Sequence, residues 1–165
     1  MHRTKTGGGR MAAACLALLL LALGSGCTLY SGVMPPSPTG AALTRVPDVP
    51  FYAQEEYQCG PAALAMAMTW SGLPARPEDL TAEVYTPANK GSIQPDMITA
   101  ARRHGRMAYV IHGAERLSAE ITAHNPVIVL QNLGLSWYPV WHYAVVTGLD
   151  RDTGEVLLNS GTIRS

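Results

Sequence analysis

Charge and aromatic residues are both sparse in this 165-residue chain: charged side chains make up 15% and aromatics 7%, with a single Phe. Lys and Arg total 12 and Asp and Glu total 12, so neither sign is in excess. Without a basic stripe interleaved with aromatics, no nucleic-acid partner is expected. Its five His and twelve acids are scattered without metal-ligand spacing, so neither a metal site nor a cofactor is expected. Only three cysteines occur, Cys15, Cys27 and Cys59, too few for a disulfide framework. No apolar run is long enough to span a bilayer as a helix: Met11–Leu23 covers 13 residues, against roughly 20 needed. No internal repeat is visible.

That short apolar run nevertheless has a meaning. Arg3, Lys5 and Arg10 precede it, and Gly24, Ser25 and Gly26 separate it from Cys27. This is the layout of a secretory signal. Small residues directly before a cysteine resemble the lipobox of bacterial lipoproteins, which implies cleavage after residue 26 and lipidation of Cys27. Leu23 lies four residues before Cys27, where the lipobox places it three before. An ordinary cleaved signal and an uncleaved anchor stay as alternatives. Export to the cell envelope is expected, with a lipid anchor on the extracytoplasmic side. Losing residues 1–26 removes three basic residues and no acidic ones, leaving 9 against 12, about −3. Cys59 then remains as a lone thiol, a flag for reactivity rather than for stapling.

Residues 27–45, rich in Pro, Ser, Gly and Thr, read as a flexible tether. Residues 46–165 read as one domain, large enough for a single core and ending soon after a predicted strand, as a domain cut short would. Within it, Pro61–Trp70 is an almost wholly apolar helix pattern ended by Gly72-Leu73-Pro74. Pro77-Glu78-Asp79-Leu80 starts a second helix, 85–91 reads as a loop, and Ser92–His104 as an amphipathic helix stopped by Gly105. Met107–Ile111, Val127–Leu130, Val140–Leu149 and Val156–Asn159 read as strands, with a short helix over Leu117–Ala123. Helices crowd the first half and strands the second. The predicted class is therefore α+β, with N-terminal helices packed on a C-terminal antiparallel sheet.

Cys59 carries the chemistry. A polar EEYQ run precedes it, and Gly60-Pro61 follows as a helix start. A helix N-terminus presents unpaired N–H groups and the positive end of its dipole, which stabilise a nucleophilic thiolate. Such a nucleophile needs a base, and His142, opening the strand HYAVVTGLD, is the candidate. His104, His112 and His124 lie in surface-like sequence. A third polar group must hold the imidazole, and Asn159 in VLLNSG is the choice. Asp150 lies eight residues along the same strand, roughly 26 Å away. Direct opposition of Asn159 and His142 needs a turn centred on Asp150-Arg151, whereas Asp152-Thr153-Gly154 suggests a later centre. A bulge or a wider loop must absorb the difference. Gln54 is the candidate oxyanion donor, alongside the Cys59 N–H. Gln58 is its rival, too close to Cys59 for its side chain to point the same way. Trp137, Tyr138 and Trp141, just before the base, either line a substrate groove or pack at the sheet edge.

The blocks VPFYAQEEYQCGPAAL and HYAVVTGLD with VLLNSG resemble papain-like cysteine peptidases, and most of all the bacteriocin-processing family, peptidase family C-thirty-nine. The resemblance implies a papain-like fold, Cys59 as nucleophile, His142 as acid–base, Asn159 as the orienting residue and Gln54 as oxyanion donor. The family usually has Asp, often followed by Pro, where this chain has Asn159-Ser160. The interval from Gln54 to Cys59 is one residue shorter than in transporter-linked members, and no transporter is fused here. The expected function is thus a cell-envelope cysteine peptidase acting on a peptide or protein substrate. An amidase or acyltransferase acting on cell-wall peptides by the same thioester chemistry is an alternative, and a non-catalytic peptide-binding lipoprotein is another.

Overall fold

The computed structural model describes residues 43–164, and its elements are α+β as expected. Strand β1 (Leu43–Arg45) leads through an irregular stretch to helix α1 (Cys59–Trp70). Helix α2 (Pro77–Val84) runs into a small hairpin of β2 (Tyr85–Thr86) and β3 (Gly91–Ser92) around a 3₁₀ turn. Helices α3 (Gln94–Arg103) and α4 (Ala114–Thr122) follow, then strands β4 (Val127–Asn132), β5 (Trp141–Asp150) and β6 (Val156–Asn159). β1 and the small hairpin escape a sequence reading because two or three residues carry no period. β1 thus occupies the last three residues of the stretch expected as a tether, the rest of which lies outside the described residues.

The ten-residue β5 organises the main sheet, and all its neighbours are antiparallel. β4 pairs with Trp141–Val146 and β1 with Gly148–Asp150, while β6 pairs with Val145–Leu149. Because β6 shares partners with both, β4 and β1 lie end to end on one side of β5 and β6 on the other. Tyr143 to Leu149 is buried on both faces, which is why this strand reads as a continuous apolar run. Gly148 sits where a Cβ would meet Leu157 Cδ1 at 2.8 Å and the Thr44 carbonyl at 2.9 Å. At that point the β5–β6 ladder slips: Gly148 pairs with Leu157, but Val146 with Leu158, leaving Thr147 as an extra residue. The Thr147 carbonyl accepts the Val46 N–H at 2.7 Å.

Helix α1 is the core's other half, buried along nearly its whole length and packed on α2 and β5. Small Ala residues let it approach both layers closely. It starts two residues before Pro61, which lies in the first turn, where a missing N–H leaves no bond unmade. Gly60 is demanded by packing: a Cβ there would lie 2.1 Å from Ser92 Oγ and 2.5 Å from Ser92 Cβ.

Met107–Ile111, predicted as a strand, joins no sheet. The segment instead forms one wall of an apolar groove of about 470 Å³ whose other walls come from α1, α3 and β4. Its unbroken apolar run reflects a half-covered wall rather than a ladder.

Candidate active site

Cys59 opens α1, half-buried, with Gln58 as the preceding cap residue. A tight turn delivers it: the Gln58 N–H donates to the Glu55 carbonyl at 3.0 Å, and Tyr57 adopts a left-handed φ of 62°. For a bulky residue that conformation is strained, and it is held only by its surroundings. The Ala62 N–H bonds the Gln58 carbonyl and Pro61 has none, so the N–H groups of Cys59 and Gly60 keep no partner among the described residues. Two donors and the positive end of a twelve-residue helix therefore converge beside the sulfur.

Gln54 does not dangle toward this site; it is built in. Its Nε2 donates to the Tyr143 carbonyl at 3.2 Å, and its Oε1 accepts the Gly161 N–H at 2.8 Å. Its own N–H donates to the Gly161 carbonyl at 2.9 Å. One of its two amide hydrogens stays uncommitted. Gln58 accepts from the Thr81 hydroxyl at 2.9 Å and so faces α2.

His142 is half-buried on β5, and its Nε2 lies 3.1 Å from Ser160 Oγ. Burial pushes its imidazole below the ordinary value, and among the described residues no carboxylate bonds the ring to oppose that. A hydroxyl donates or accepts, so Ser160 orients the ring in either protonation state without stabilising its charge. Tyr143, a core residue by sequence, brings its phenol into the same electrostatic neighbourhood. Burial raises its pKa first, then the charges of Cys59 and Asp96.

Asn159 is not the residue that meets His142. It is 1% exposed, its Nδ2 reaches the Pro50 carbonyl at 3.4 Å, and its Oδ1 is unpaired. It lines a small polar cavity of about 130 Å³ with Arg45, Asp48 and Arg164. The Thr147 bulge explains the exchange. Leu149 faces Val156 and Gly148 faces Leu157; continued evenly, that ladder puts Asn159 opposite Val146, on the face of His142. The extra residue sets Asn159 opposite Val145 instead, and a one-residue slip turns every side chain over. Ser160 thereby reaches the histidine's face. A signal was present in the sequence, since an isolated Gly within a strand pattern marks a bulge.

The other histidines serve elsewhere. His104 Nε2 lies 2.8 Å from Glu83 Oε1, and His124 Nδ1 is 3.0 Å from the Arg45 carbonyl. Among the described residues no cluster of His, Cys, Asp and Glu is arranged to hold a metal.

The model of the Peptidase_C39 like family matches residues 46–161, the stretch that contains Gln54, Cys59, His142, Asn159 and Ser160. The chain belongs to that family. Its domain is accordingly cysteine-peptidase-like, with the papain-like α+β arrangement. No curated protein and no solved structure matches the chain.

Proposed function

We propose that this family member is an active cysteine peptidase, exported and held at the membrane through Cys27, that cleaves peptide bonds at Cys59. His142 is the acid–base and Ser160 its positioning residue, in the place the sequence suggests for Asn159. The observation that carries this reading is the double hold of Gln54. It fastens the loop before Cys59 to Tyr143 and Gly161, the residues that follow His142 and Ser160.

With Nε2 held by Ser160, Nδ1 of His142 is the nitrogen left for the thiol proton. The Cys59 thiolate attacks the substrate carbonyl, forming the S–C bond as the C–O π electrons move onto oxygen. The Cys59 N–H and the free Gln54 amide hydrogen donate to that oxyanion, each such donor contributing about 10²–10³ in rate. Collapse expels the amine, which takes its proton from the His142 imidazolium. Water, activated by the same imidazole, then hydrolyses the thioester and restores the thiol.

A second reading, a peptide-binding domain without turnover, is favoured by one observation: the group orienting His142 is an uncharged hydroxyl. Acid quenching of the full chain with a peptide library, followed by mass spectrometry, separates the two. An acyl thioester on Cys59, with released C-terminal fragments, is the expected result. Bound but intact peptides and an unmodified Cys59 would leave only the binding domain.

A further inference from the structure

Strands β4 and β5 are joined by a hairpin loop, 133–140, that carries a run of exposed apolar side chains. Leu133, Leu135, Trp137, Tyr138, Val140 and Trp141 are all exposed, Trp137 to 79% and Tyr138 to 69%. From Asn132 to His142 there is no Asp, Glu, Lys or Arg. A contiguous apolar surface of this kind on a loop marks an interaction site.

The loop is rigid. Asn132 Oδ1 accepts the N–H groups of Gly134 and Val140, both at 2.9 Å. The Leu133 N–H donates to the Val140 carbonyl at 2.8 Å, and Leu135 and Tyr138 exchange backbone bonds at 3.0 and 3.1 Å. Gly134 makes this possible, because a Cβ there would fall 2.4 Å from the Tyr138 carbonyl. With these backbone groups paired internally, moving the tip into a less polar medium carries a smaller desolvation cost. None of its side chains lines either of the two cavities described above, and all six apolar ones are exposed.

We propose that this hairpin is a membrane-docking element that seats its aromatic tip in the interfacial layer of a lipid bilayer. An internally braced, uncharged hairpin bearing Trp137 and Tyr138 at its tip and Trp141 at its base fits a broad amphipathic surface, the layer where such rings partition. For reach, the inference rests on the Cys27 anchor of the proposed function. Fifteen residues separate Cys27 from Leu43, and a flexible linker of that length would have a root-mean-square span of roughly 20 Å. With no cationic side chain on the loop, attachment of the tip needs no anionic lipid.

The test is tryptophan fluorescence of the full chain reconstituted in phosphatidylcholine vesicles with brominated acyl chains. Emission from Trp137 and Trp141 is expected to shift to the blue and be quenched by the bromines. The effect should persist at 1 M salt, where the Debye length is about 3 Å. In Trp137→Ser/Trp141→Ser, with an unchanged far-UV spectrum, the quenched component should be lost, leaving Trp70. A Cys59→Ala chain is expected to dock like the parent, so failure of the peptidase reading leaves this result standing. Chains that float with the vesicles while their hairpin Trp emission stays unshifted and open to aqueous acrylamide would overturn the proposal. So would docking that appears only with anionic lipid.

Discussion

Asn159 and Ser160 are neighbours in sequence, yet they belong to opposite faces of the β5–β6 ribbon. On one face Asn159 is sealed beside Val145 and reaches only the Pro50 carbonyl. On the other, Ser160 meets His142 at the edge of the candidate site. One extra residue, Thr147, decides which is which. The lesson is that residue type alone does not assign a catalytic role in a sheet; the parity of the ladder does.

The comparison breaks most visibly at His142. His142→Ala is expected to lower peptide turnover by about 10²–10⁴-fold, with the chain still folded by circular dichroism. A variant as active as its parent would remove the acid–base role from that face. A finer contrast comes next. Ser160→Ala should lower kcat by about fivefold with KM little changed, as loss of a positioning bond worth about 1 kcal/mol implies. Asn159→Ala should instead lose about 1–2 kcal/mol of stability in urea unfolding while the folded fraction keeps its kcat. The reverse pattern would put Asn159 back on the histidine's face.

Gly60→Ala probes the opposite wall. Its new Cβ collides with both Ser92 Oγ and Ser92 Cβ. A loss of about 1–3 kcal/mol is expected, partly restored by Ser92→Gly; full stability in the single variant would contradict the packing described.

The smallest effect is a shift of the acid limb. Burial holds the His142 imidazole below its ordinary value, so its basic form persists further into acid. Since the unfolded chain binds that proton more readily, the contribution of His142 to stability falls as pH drops through the unfolded value, about 6.5. It levels off below the folded value. Ser160→Asp places an anion against the ring, favours the imidazolium, and should move the His142 NMR titration and the acid limb of kcat/KM upward together. An unmoved titration would show that residue 160 does not face the ring.

Much of this architecture was legible before any coordinates. The Gly60-Pro61 start and the apolar run to Trp70 announced α1 with Cys59 at its head, and the HYAVVTGLD run announced the central strand. What stayed hidden depended on partners distant in the chain. The β5–β6 register turns on a bulge that only Gly148 hinted at, and the hold of Gln54 on Tyr143 and Gly161 spans more than 80 residues. Met107–Ile111 has a strand's composition without a strand's partner, since apolar composition records partial burial and not pairing. The expected signal and lipidated Cys27 lie outside the described residues.

The most direct test of the account is the rate at which iodoacetamide alkylates Cys59, followed by mass spectrometry across pH in the full chain. Fast labelling near neutral pH is predicted for the parent and for Asn159→Ala, slower labelling for Ser160→Ala, and the slowest for His142→Ala. Labelling that ignores His142, or that slows in Asn159→Ala while Ser160→Ala keeps pace with the parent, would contradict it.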